Sequence, residues 1–348
     1  METLILSRDY PVELELSLPC KGKVLVRAGQ RVKAGDLIAE ASFPAHYQFF
    51  DLIQEFGIRP EDLEKALQRK EGDPLSAGDL IAWKKGFLGH YLRASEDGAL
   101  ILARDGRLTL AYGEKKLRLK APYEGLITTI LTGKGAVLAN QSMAVQAELM
   151  LGKRCSGPFV YLTTEELVKQ PRRLDKDLKN TVLWLDGLLT QRLWERVKGL
   201  ELSALVLASA AYDSGVFKES LPFSVLLLMG MGEISLDEIS RTLLTDMLGM
   251  IVILEPKGRS GGAERPILFR VWDSESHPLV QKPLEQAKPG SPVRLLGKPY
   301  HGLLARIEEI SKNPESFASG AFARAALLRI GDDTLVRLPL NNIELILS

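Results

Sequence analysis

A twelve-residue phrase occurs twice in the N-terminal part of the chain. AGQRVKAGDLIA (residues 28–39) and EGDPLSAGDLIA (residues 71–82) are identical at seven positions, including an unbroken Ala-Gly-Asp-Leu-Ile-Ala. Glycine supplies the positive φ angle that a tight turn needs, and an aspartate after it can accept a hydrogen bond from the nearby backbone. Each copy is therefore predicted to form a tight turn between two short β-strands.

The surroundings of the repeat resemble the barrel-sandwich hybrid fold of biotinyl and lipoyl domains. Residues 29–38 follow the pattern Gly-x-x-Val-x-x-Gly-Asp-x-Ile, which is similar to one corner of such a barrel. Residues 121–127 follow Ala-Pro-x-x-Gly-x-Ile, which resembles the start of a half-barrel. The resemblance covers residues 15–150. Because this fold consists of two similar half-barrels, it implies that the two copies are equivalent parts of one barrel.

The lysine on which carrier domains of this fold attach a cofactor is not recognisable. Such domains place it in a signature such as Glu-Ala-Met-Lys-Met, whereas the first copy is followed by EASFPAHYQ, without a lysine. Lys84 and Lys85 follow the second copy, but Trp83 and Gly86 beside them differ from the carrier signature. We therefore expect solvent-facing lysines here and no attached cofactor.

The segment between the two copies has the spacing of a helical insertion. Four apolar residues recur at helical spacing, namely Phe49, Phe50, Ile53 and Phe56. Gly57 is expected to end this helix, and Pro60 suits the first turn of the next one. The second helix mixes acidic and basic residues, whereas a DNA-reading helix favours an excess of basic ones. We predict a β-rich domain over residues 1–152 with a helical insertion at residues 46–70.

Short apolar runs alternate with amphipathic segments in the middle of the chain. The runs are TVLWLDG, ALVLAS, FSVLLLMG and MIVILEP, and the amphipathic segments between them are LTQRLWERVKGL and SLDEISRTLLTDML. Strands that alternate with helices favour a mostly parallel sheet. We predict a small α/β domain over residues 178–275.

The last part of the chain resembles a KOW-type, NusG-like SH3 barrel. Residues that match the KOW pattern are Val293, Arg294, Gly297, Tyr300, Gly302, Leu304, Arg306, Ile307 and the run from Val336 to Glu344. The sequence departs from the KOW pattern at Ala305, where a second glycine is often found. The resemblance implies an SH3-like β-barrel over residues 288–348. The predicted fold class is thus multidomain α+β: a barrel-sandwich hybrid with a helical insertion, a small α/β domain and an SH3-like barrel.

Two positions in the α/β domain are candidates for binding a small ligand. In LLLMGMGEISLDEI, Gly230 and Gly232 precede Ser235, which forms a potential capping box with Glu238. A glycine loop that leads into a helix N-terminus can bind an anion. Asp186 ends an apolar run, and ligands of open α/β sheets bind at the carboxyl ends of strands. The alternative is that both places are only turns and caps, because no third glycine or Gly-Lys-Ser/Thr completes a nucleotide motif.

Basic residues suggest two surfaces for nucleic acid or a protein partner. Lys257, Arg259 and Arg265 lie in the glycine-rich stretch EPKGRSGGAERP. In the C-terminal barrel, the candidates are Arg294, Lys298, Tyr300 and Arg306. Such residues contact phosphates or stack on bases when they are exposed. The alternatives are that EPKGRSGGAERP is only a mobile hairpin connection between two strands, and that the barrel binds protein or merely docks on its neighbouring domain.

Composition and spacing argue against several classes of protein. The net charge of +1 excludes a polycation, and Cys20 and Cys155 form neither a CxxC pair nor a zinc-ligand spacing. The four histidines belong to no catalytic or metal motif. No apolar stretch reaches the roughly 18 residues of a membrane span, and the N-terminus has no secretion-signal pattern. We predict no catalytic residue, metal or cofactor, and a location in the cytoplasm.

These observations favour a non-enzymatic adaptor of a larger cytoplasmic assembly. Hybrid barrels and KOW modules both occur in transcription and translation machinery, so the analogy of fold suggests such an assembly. We expect protein partners, with nucleic acid as a further candidate for the C-terminal barrel. The alternative is a ligand-binding or enzymatic protein that uses an anion site at the glycine loop. A cofactor carrier or envelope protein is disfavoured, because the lysine signature and the secretion signal are both missing.

Overall fold

β-strands make up most of the regular structure of this protein. The computed structural model describes residues 2–84, 90–169, 177–218, 220–258, 265–273, 276–280, 286–332 and 334–347. Within these ranges the chain forms 29 strands and five short α-helices. One 16-stranded sheet runs through the N-terminal, middle and C-terminal parts. The protein is therefore β-rich and built from several sheets, as the sequence patterns predict.

Strands and helices are numbered in chain order. The N-terminal strands are β1 Glu2–Ser17, β2 Lys23–Val24, β3 Arg31–Val32, β4 Leu37–Phe43, β5 His46–Asp51, β6 Pro74–Leu75, β7 Leu80–Lys84, β8 His90–Arg93, β9 Gly98–Arg104, β10 Arg107–Tyr112, β11 Lys115–Lys120, β12 Gly125–Leu131, β13 Gly135–Gln146 and β14 Leu149–Leu151. The middle strands are β15 Cys155–Leu162, β16 Val182–Leu185, β17 Leu188–Leu189, β18 Ala204–Leu207, β19 Ser209–Ala210, β20 Ser224–Leu227, β21 Ile251–Gly258 and β22 Arg265–Val271. The C-terminal strands are β23 Pro292–Leu295, β24 Leu304–Ile310, β25 Glu315–Ser316, β26 Phe322–Ala323, β27 Ala325–Ile330, β28 Thr334–Pro339 and β29 Ile343–Leu347. The α-helices are α1 Leu52–Phe56, α2 Leu63–Ala66, α3 Thr164–Lys169, α4 Gln191–Val197 and α5 Glu238–Asp246, and 3-10 helices span Pro60–Asp62 and Leu340–Asn342.

The first copy of the repeated phrase pairs with residues 121–127. The N–H of Gly29 donates to the carbonyl of Ile127, and the N–H of Gly35 donates to the carbonyl of Ala121, both at 2.8 Å. Both glycines have positive φ angles, as predicted for Gly35 in the Ala-Gly-Asp turn. The pairing joins β3 to β12 and places this copy in the large sheet.

The second copy pairs in the same way with a different segment, residues 94–100. The N–H of Gly72 donates to the carbonyl of Leu100 at 2.7 Å, and the N–H of Gly78 donates to the carbonyl of Ala94 at 2.8 Å. The two partner segments, APYEGLI and ASEDGAL, share the pattern Ala-x-x-x-Gly-x-Ile/Leu. Each copy of the phrase therefore has its own partner with equivalent hydrogen bonds.

The resemblance implied that the two copies are equivalent parts of one barrel. In the structure they instead belong to different sheets. The second copy belongs to a separate four-stranded sheet, β5-β10-β9-β6, and to the hairpin β7-β8. These strands enclose a core of their own, which includes Leu52, Ile81 and Leu110. The N–H of Ala45 donates to the carbonyl of Tyr112 at 2.9 Å, so the ends of this unit lie together. Residues 46–112 thus form a unit with a core of its own, inserted between the paired strands β4 and β11.

The predicted helical insertion at residues 46–70 is largely wrong in its first part. Residues 46–51 form strand β5, because β10 supplies a complete antiparallel partner for them. Helix α1 begins only after Asp51, whose carboxylate accepts the backbone N–H groups of Ile53 and Gln54. The predicted helix end at Gly57 is confirmed, with a φ angle of 60°.

The middle part contains a parallel sheet with helices on both faces. Strands β20, β18, β16 and β15 are parallel neighbours in that order, and β14 and β21 are antiparallel at the two sides. Trp194 of α4 is buried on one face, and Leu244 of α5 is buried on the other. Strand β15 begins at Cys155, so this sheet includes residues that precede the predicted start at residue 178.

The C-terminal strands follow the spatial order β29-β23-β24-β27-β28. A 3-10 helix separates β28 from β29, and β29 returns to pair antiparallel with β23. On its other side β29 pairs parallel with the start of β1, with Glu2 opposite Glu344. The first and last strands of the chain therefore attach the C-terminal part to the N-terminal part.

Candidate functional site

A cleft of about 530 Å³ opens at the carboxyl ends of the parallel strands. The pairing of β16 with β18 extends to Trp184 and Val206, and pairing resumes only at Leu188 and Ser209 of β17 and β19. This interruption of the ladder makes room for the cleft. Polar side chains that line it are Asp186, Ser209, Glu233, Ser235 and Arg241. In open α/β sheets, ligands bind at this end of the strands.

Asp186, a predicted ligand residue, lies in the cleft and also holds neighbouring elements. Its carboxylate accepts the hydroxyl of Tyr161 at 3.2 Å and the backbone N–H of Thr164, in the first turn of α3, at 3.1 Å. Burial and the nearby Asp186 carboxylate raise the pKa of the Tyr161 phenol above its ordinary value. Asp186 is thus placed both to contact a ligand in the cleft and to connect β15, β16 and α3.

The two glycines of the predicted anion site lie in the turn between β20 and α5. Gly230 and Gly232 have φ angles of 84° and 100°, as a strand-to-helix turn requires, but neither is among the residues that line the cleft. The N–H of Gly232 donates to the carbonyl of Ala210 at 2.9 Å, and the N–H of Ala210 donates to the carbonyl of Gly230. These hydrogen bonds pair the loop with β19, and both glycines serve the turn between β20 and α5.

The predicted capping box of Ser235 and Glu238 is also absent. Helix α5 begins at Glu238, and its N-cap is Asp237, whose carboxylate accepts both the backbone N–H and the hydroxyl of Ser240 at 2.8 and 2.7 Å. Aspartate caps helices as well as serine does, and Leu236 packs on the core immediately before it. Ser235 is left exposed on the wall of the cleft.

The loop between β20 and α5 instead contacts the C-terminal part of the chain. A Cβ atom placed on Gly302 would lie 3.0 Å from Cε of Met229 and 3.2 Å from Cγ2 of Ile234. Gly302 also has a φ angle of 83°. The close approach of the two parts therefore depends on a glycine at this position.

Arg294 and Arg265 do not form an exposed basic surface, contrary to the sequence prediction. Arg294 is 2% exposed, and its guanidinium donates to Glu344, which is fully buried, at 2.7 and 3.0 Å. Arg294 and Arg265 both also pair with Glu148, and Arg265 pairs with Glu344 and Glu2. Burial alone would lower the pKa of Arg265, but the carboxylates outweigh this effect and the pKa is raised. A buried guanidinium needs such partners, and this network occupies both arginines.

The remaining predicted contact residues are spread over different environments. Lys298 and Arg306 are exposed, and Arg306 donates to the carbonyl of Gly290 at 3.2 Å. Tyr300 is half-buried and packs against the core of the C-terminal strands. Lys257 lies in strand β21, and Arg259 lies outside the described residues.

Other arginines of the C-terminal part are paired with carboxylates. Arg329 pairs with Glu308 at 2.6 Å, and Arg337 makes two hydrogen bonds of 2.9 Å to Glu315. These two hydrogen bonds raise the pKa of Arg337 and lower the pKa of Glu315. Such pairing reduces the positive potential that the C-terminal strands offer to a phosphate backbone.

The outer face of the inserted sheet carries an exposed apolar row that sequence reasoning missed. Phe49 of β5 is opposite Thr109 of β10, which is opposite Leu102 of β9. Phe49 is 72% exposed, and Leu102, Tyr47 and Ile101 are about half exposed. The signal is present in HYQFFD, where Tyr47 and Phe49 alternate as on a strand face, but the spacing of the phenylalanines also fits a helix.

The chain matches no protein-family model, and a comparison with curated proteins gives no match. Among the helices in the described ranges, none has the length and apolar character needed to cross a bilayer. The residues that the structure describes also contain no group of three or more His, Cys, Asp or Glu side chains placed to hold a metal ion. Two candidate functional features therefore stand out: the cleft at the carboxyl ends of the parallel strands and the exposed apolar row on the inserted sheet.

Proposed function

We propose that the protein is a non-enzymatic adaptor that docks a partner protein on the outer face and free edge of β5. The observation that carries this proposal is the exposed row Phe49–Thr109–Leu102, flanked by Tyr47 and Ile101. Exposed apolar clusters rimmed by polar residues mark protein-binding surfaces, and aromatic residues supply much of the binding energy at such surfaces.

The charged residues around this apolar row support a specific contact. Asp51 and Arg107 form an ion pair in the row beside it, two residues along from Phe49 and Thr109, and Arg104 lies opposite Arg107 and next to Asp105. Charged rims of this kind orient a partner and disfavour unspecific association. An apolar centre with a charged border is thus the arrangement that a docking surface requires.

The backbone of β5 offers a second means of recognition. One edge of β5 pairs with β10, and within the described ranges the opposite edge pairs with no other strand. His46, Tyr47, Gln48 and Phe49 are all exposed along it. An extended segment of a partner protein can add to such an edge through main-chain hydrogen bonds, while the apolar row receives its side chains.

The finer architecture that we infer is compatible with a scaffold. It consists of two nested barrel-sandwich hybrid units, a small α/β unit and a C-terminal SH3-like, KOW-type barrel. The equivalent hydrogen bonds of the two repeat copies support the first assignment. The order β29-β23-β24-β27-β28, with a 3-10 helix before the last strand, supports the second. By analogy of fold, the partner belongs to a cytoplasmic transcription or translation assembly.

Protein is favoured over nucleic acid as the partner. Arg294, Arg329 and Arg337 of the C-terminal barrel are engaged with carboxylates, whereas a nucleic-acid surface needs unpaired basic side chains. Of the predicted contact residues there, Lys298 and Arg306 are exposed. A matched test should therefore compare the β5 face with the C-terminal barrel directly.

The test is affinity capture of the tagged full-length chain from its native host, with and without nuclease. Phe49→Ser is compared with Phe322→Ser, because both phenylalanines are 72% exposed and Phe322 lies on the C-terminal barrel. We expect nuclease-resistant capture of a protein partner, reduced roughly 30-fold or more in Phe49→Ser and unchanged in Phe322→Ser.

Two outcomes would contradict the adaptor function at β5. Capture that disappears with nuclease or with Phe322→Ser would transfer the interaction to nucleic acid or to the C-terminal barrel. Capture of only further copies of the same chain would indicate self-association instead of an adaptor. Circular dichroism of both variants checks that each retains its fold.

A further inference from the structure

We propose that the cleft at the carboxyl ends of the parallel strands binds a small molecule with one anionic group and neighbouring hydroxyls, as in a sugar monophosphate. This site is separate from the β5 surface, and the proposal does not depend on the adaptor function. The volume of about 530 Å³ lies within the range of roughly 300–1,000 Å³ found for small-molecule sites. The position, at an interruption between two parallel strands, is where open α/β sheets bind ligands.

Arg241 supplies the positive charge on one wall of the cleft. It lies in the first half of α5, and its guanidinium makes no ion pair with any carboxylate in the part of the chain that the structure describes. Its positive charge acts on the Tyr161 phenol and partly offsets the rise in pKa that burial and Asp186 cause. An exposed arginine without an internal partner can bind a phosphate or carboxylate through two hydrogen bonds.

Carboxylates on the other walls supply acceptors for hydroxyl groups. Oδ1 of Asp186 accepts from the backbone N–H and the hydroxyl of Thr164, whereas Oδ2 accepts only from Tyr161 and retains a lone pair for a ligand hydroxyl. Glu233 is exposed at the same cleft. Carboxylates at the ends of parallel strands bind sugar hydroxyls in this way.

The balance of charges limits the class of ligand. Two carboxylates, Asp186 and Glu233, face one cation, Arg241. A ligand with several phosphates would be repelled by this surplus of negative charge, whereas one anionic group can pair with the arginine. The remaining hydrogen-bonding capacity consists of acceptors for hydroxyls and the hydroxyl of Ser235. A hydroxylated ligand with a single anionic group matches this set.

The backbone around the cleft is held in place without a ligand. The hydroxyl of Ser209, a residue 1% exposed, donates to the carbonyl of Ile234 at 3.1 Å and links β19 to the loop before α5. Asp237 caps α5 by accepting the backbone N–H of Ser240. The walls are therefore pre-formed, which reduces the ordering cost of binding.

The experiment is calorimetric titration of the full-length protein with ribose 5-phosphate. Ribose, inorganic phosphate and ATP are titrated in parallel. We expect ribose 5-phosphate to bind more tightly than each of the other three. Loss of a charge-assisted hydrogen bond should weaken binding roughly 10-fold or more in Arg241→Gln. The matched control is Arg196→Gln, an exposed arginine of α4 that is not part of the cleft lining, and it should bind like the wild type.

A second variant keeps the test valid if the buried contacts of Asp186 prove necessary for folding. Glu233→Gln removes an exposed carboxylate and should weaken ribose 5-phosphate roughly as Asp186→Asn does, while binding of inorganic phosphate is not weakened. Absence of binding at about 10 mM ribose 5-phosphate would overturn the proposal. So would binding that Arg241→Gln leaves unchanged, or inorganic phosphate that binds as tightly as the sugar phosphate. None of these results bears on partner capture by β5.

Discussion

Asp186 illustrates how a single side chain in this protein connects several elements. Its carboxylate lies after β16, accepts a hydroxyl from Tyr161 of β15, and accepts a backbone N–H from Thr164 at the start of α3. A carboxylate beside a phenol favours the protonated phenol, because the tyrosinate would bring two negative charges together. The charge of Asp186 in the cleft therefore raises the pKa of Tyr161.

We expect Tyr161 to ionise above the ordinary tyrosine pKa of about 10. Above pH 10 the unfolded chain loses this proton while the folded chain keeps it, so the free energy of unfolding should fall as the pH rises through the raised pKa. The measurement is tyrosinate absorbance of the wild type minus that of Tyr161→Phe. Asp186→Asn should lower the pKa of Tyr161 towards 10, and a wild-type pKa at or below 10 would refute the assignment.

At the scale of elements, the packing of the loop between β20 and α5 depends on the C-terminal part. Gly302 approaches Met229 and Ile234 so closely that a Cβ atom meets both side chains. Gly320 offers a matched comparison, because its φ angle of 82° is nearly the same and no atom lies within 4 Å of its would-be Cβ. The two glycines thus separate the cost of backbone strain from the cost of crowding.

We expect Gly302→Ala to be more destabilising than Gly320→Ala. Both variants suffer the strain of a positive φ angle, but only the first must displace Met229 and Ile234, which adds about 1–3 kcal/mol. Urea denaturation of the two variants beside the wild type gives the difference in the free energy of unfolding. Equal destabilisation would show that the contact between the two parts is not tightly packed.

Apolar patterning predicted some elements and misassigned others, for identifiable reasons. The strands at residues 182–185, 204–207 and 224–227 are buried on both faces, so their uninterrupted apolar runs left little ambiguity. Residues 46–51 instead carry apolar side chains at positions that fit both a strand and a helix, and the pairing with β10 decides between them. Local sequence does not contain that long-range partner.

For the candidate sites, the sequence located Asp186 and Ser235 but not their neighbours. The end of an apolar strand can be recognised in a sequence. Arg241 instead lines the cleft from a helix, and Ser209 lines it from the place where the pairing between two strands resumes, and neither position has a local sequence pattern. The basic residues Arg265 and Arg294 were misassigned because their carboxylates lie at least 50 residues away. A charge partner at such a distance has no local signature.

At the scale of the whole molecule, a buried ion network joins the parts of the chain. Glu148 follows β13, Arg265 begins β22, Arg294 lies in β23 and Glu344 lies in β29. Removing one partner from a buried pair leaves the other charge without compensation, which is costly in a low dielectric. The network therefore couples the stability of the C-terminal strands to that of the middle part.

We expect Glu344→Gln to lower the free energy of unfolding by about 3–5 kcal/mol. The control is Glu315→Gln, which removes the exposed partner of Arg337 and should have little effect on stability. Denaturation curves of both variants, measured beside the wild type, test the difference. A loss in Glu344→Gln no greater than in Glu315→Gln would mean that the buried network is not stabilising relative to its neutral form.

The inserted unit, residues 46–112, should be dispensable for the folding of the other parts of the chain. Residues 46–112 have a separate core, and a Cβ atom on Gly113 would lie 3.1 Å from Cβ of Ala45. Joining Ala45 directly to Gly113 should therefore leave a folded protein with a cooperative thermal transition, which circular dichroism can follow. An unfolded or aggregated product would show that the two units support each other.

The central claim is that the outer face of β5 docks a partner protein, and photo-crosslinking in the native host tests it most directly. Benzoylphenylalanine is placed at position 49 or, as the control, at position 322, since both side chains are 72% exposed. We predict a covalent adduct with a different protein from position 49 and none from position 322. An adduct from position 322 alone, or none from position 49, would contradict the claim.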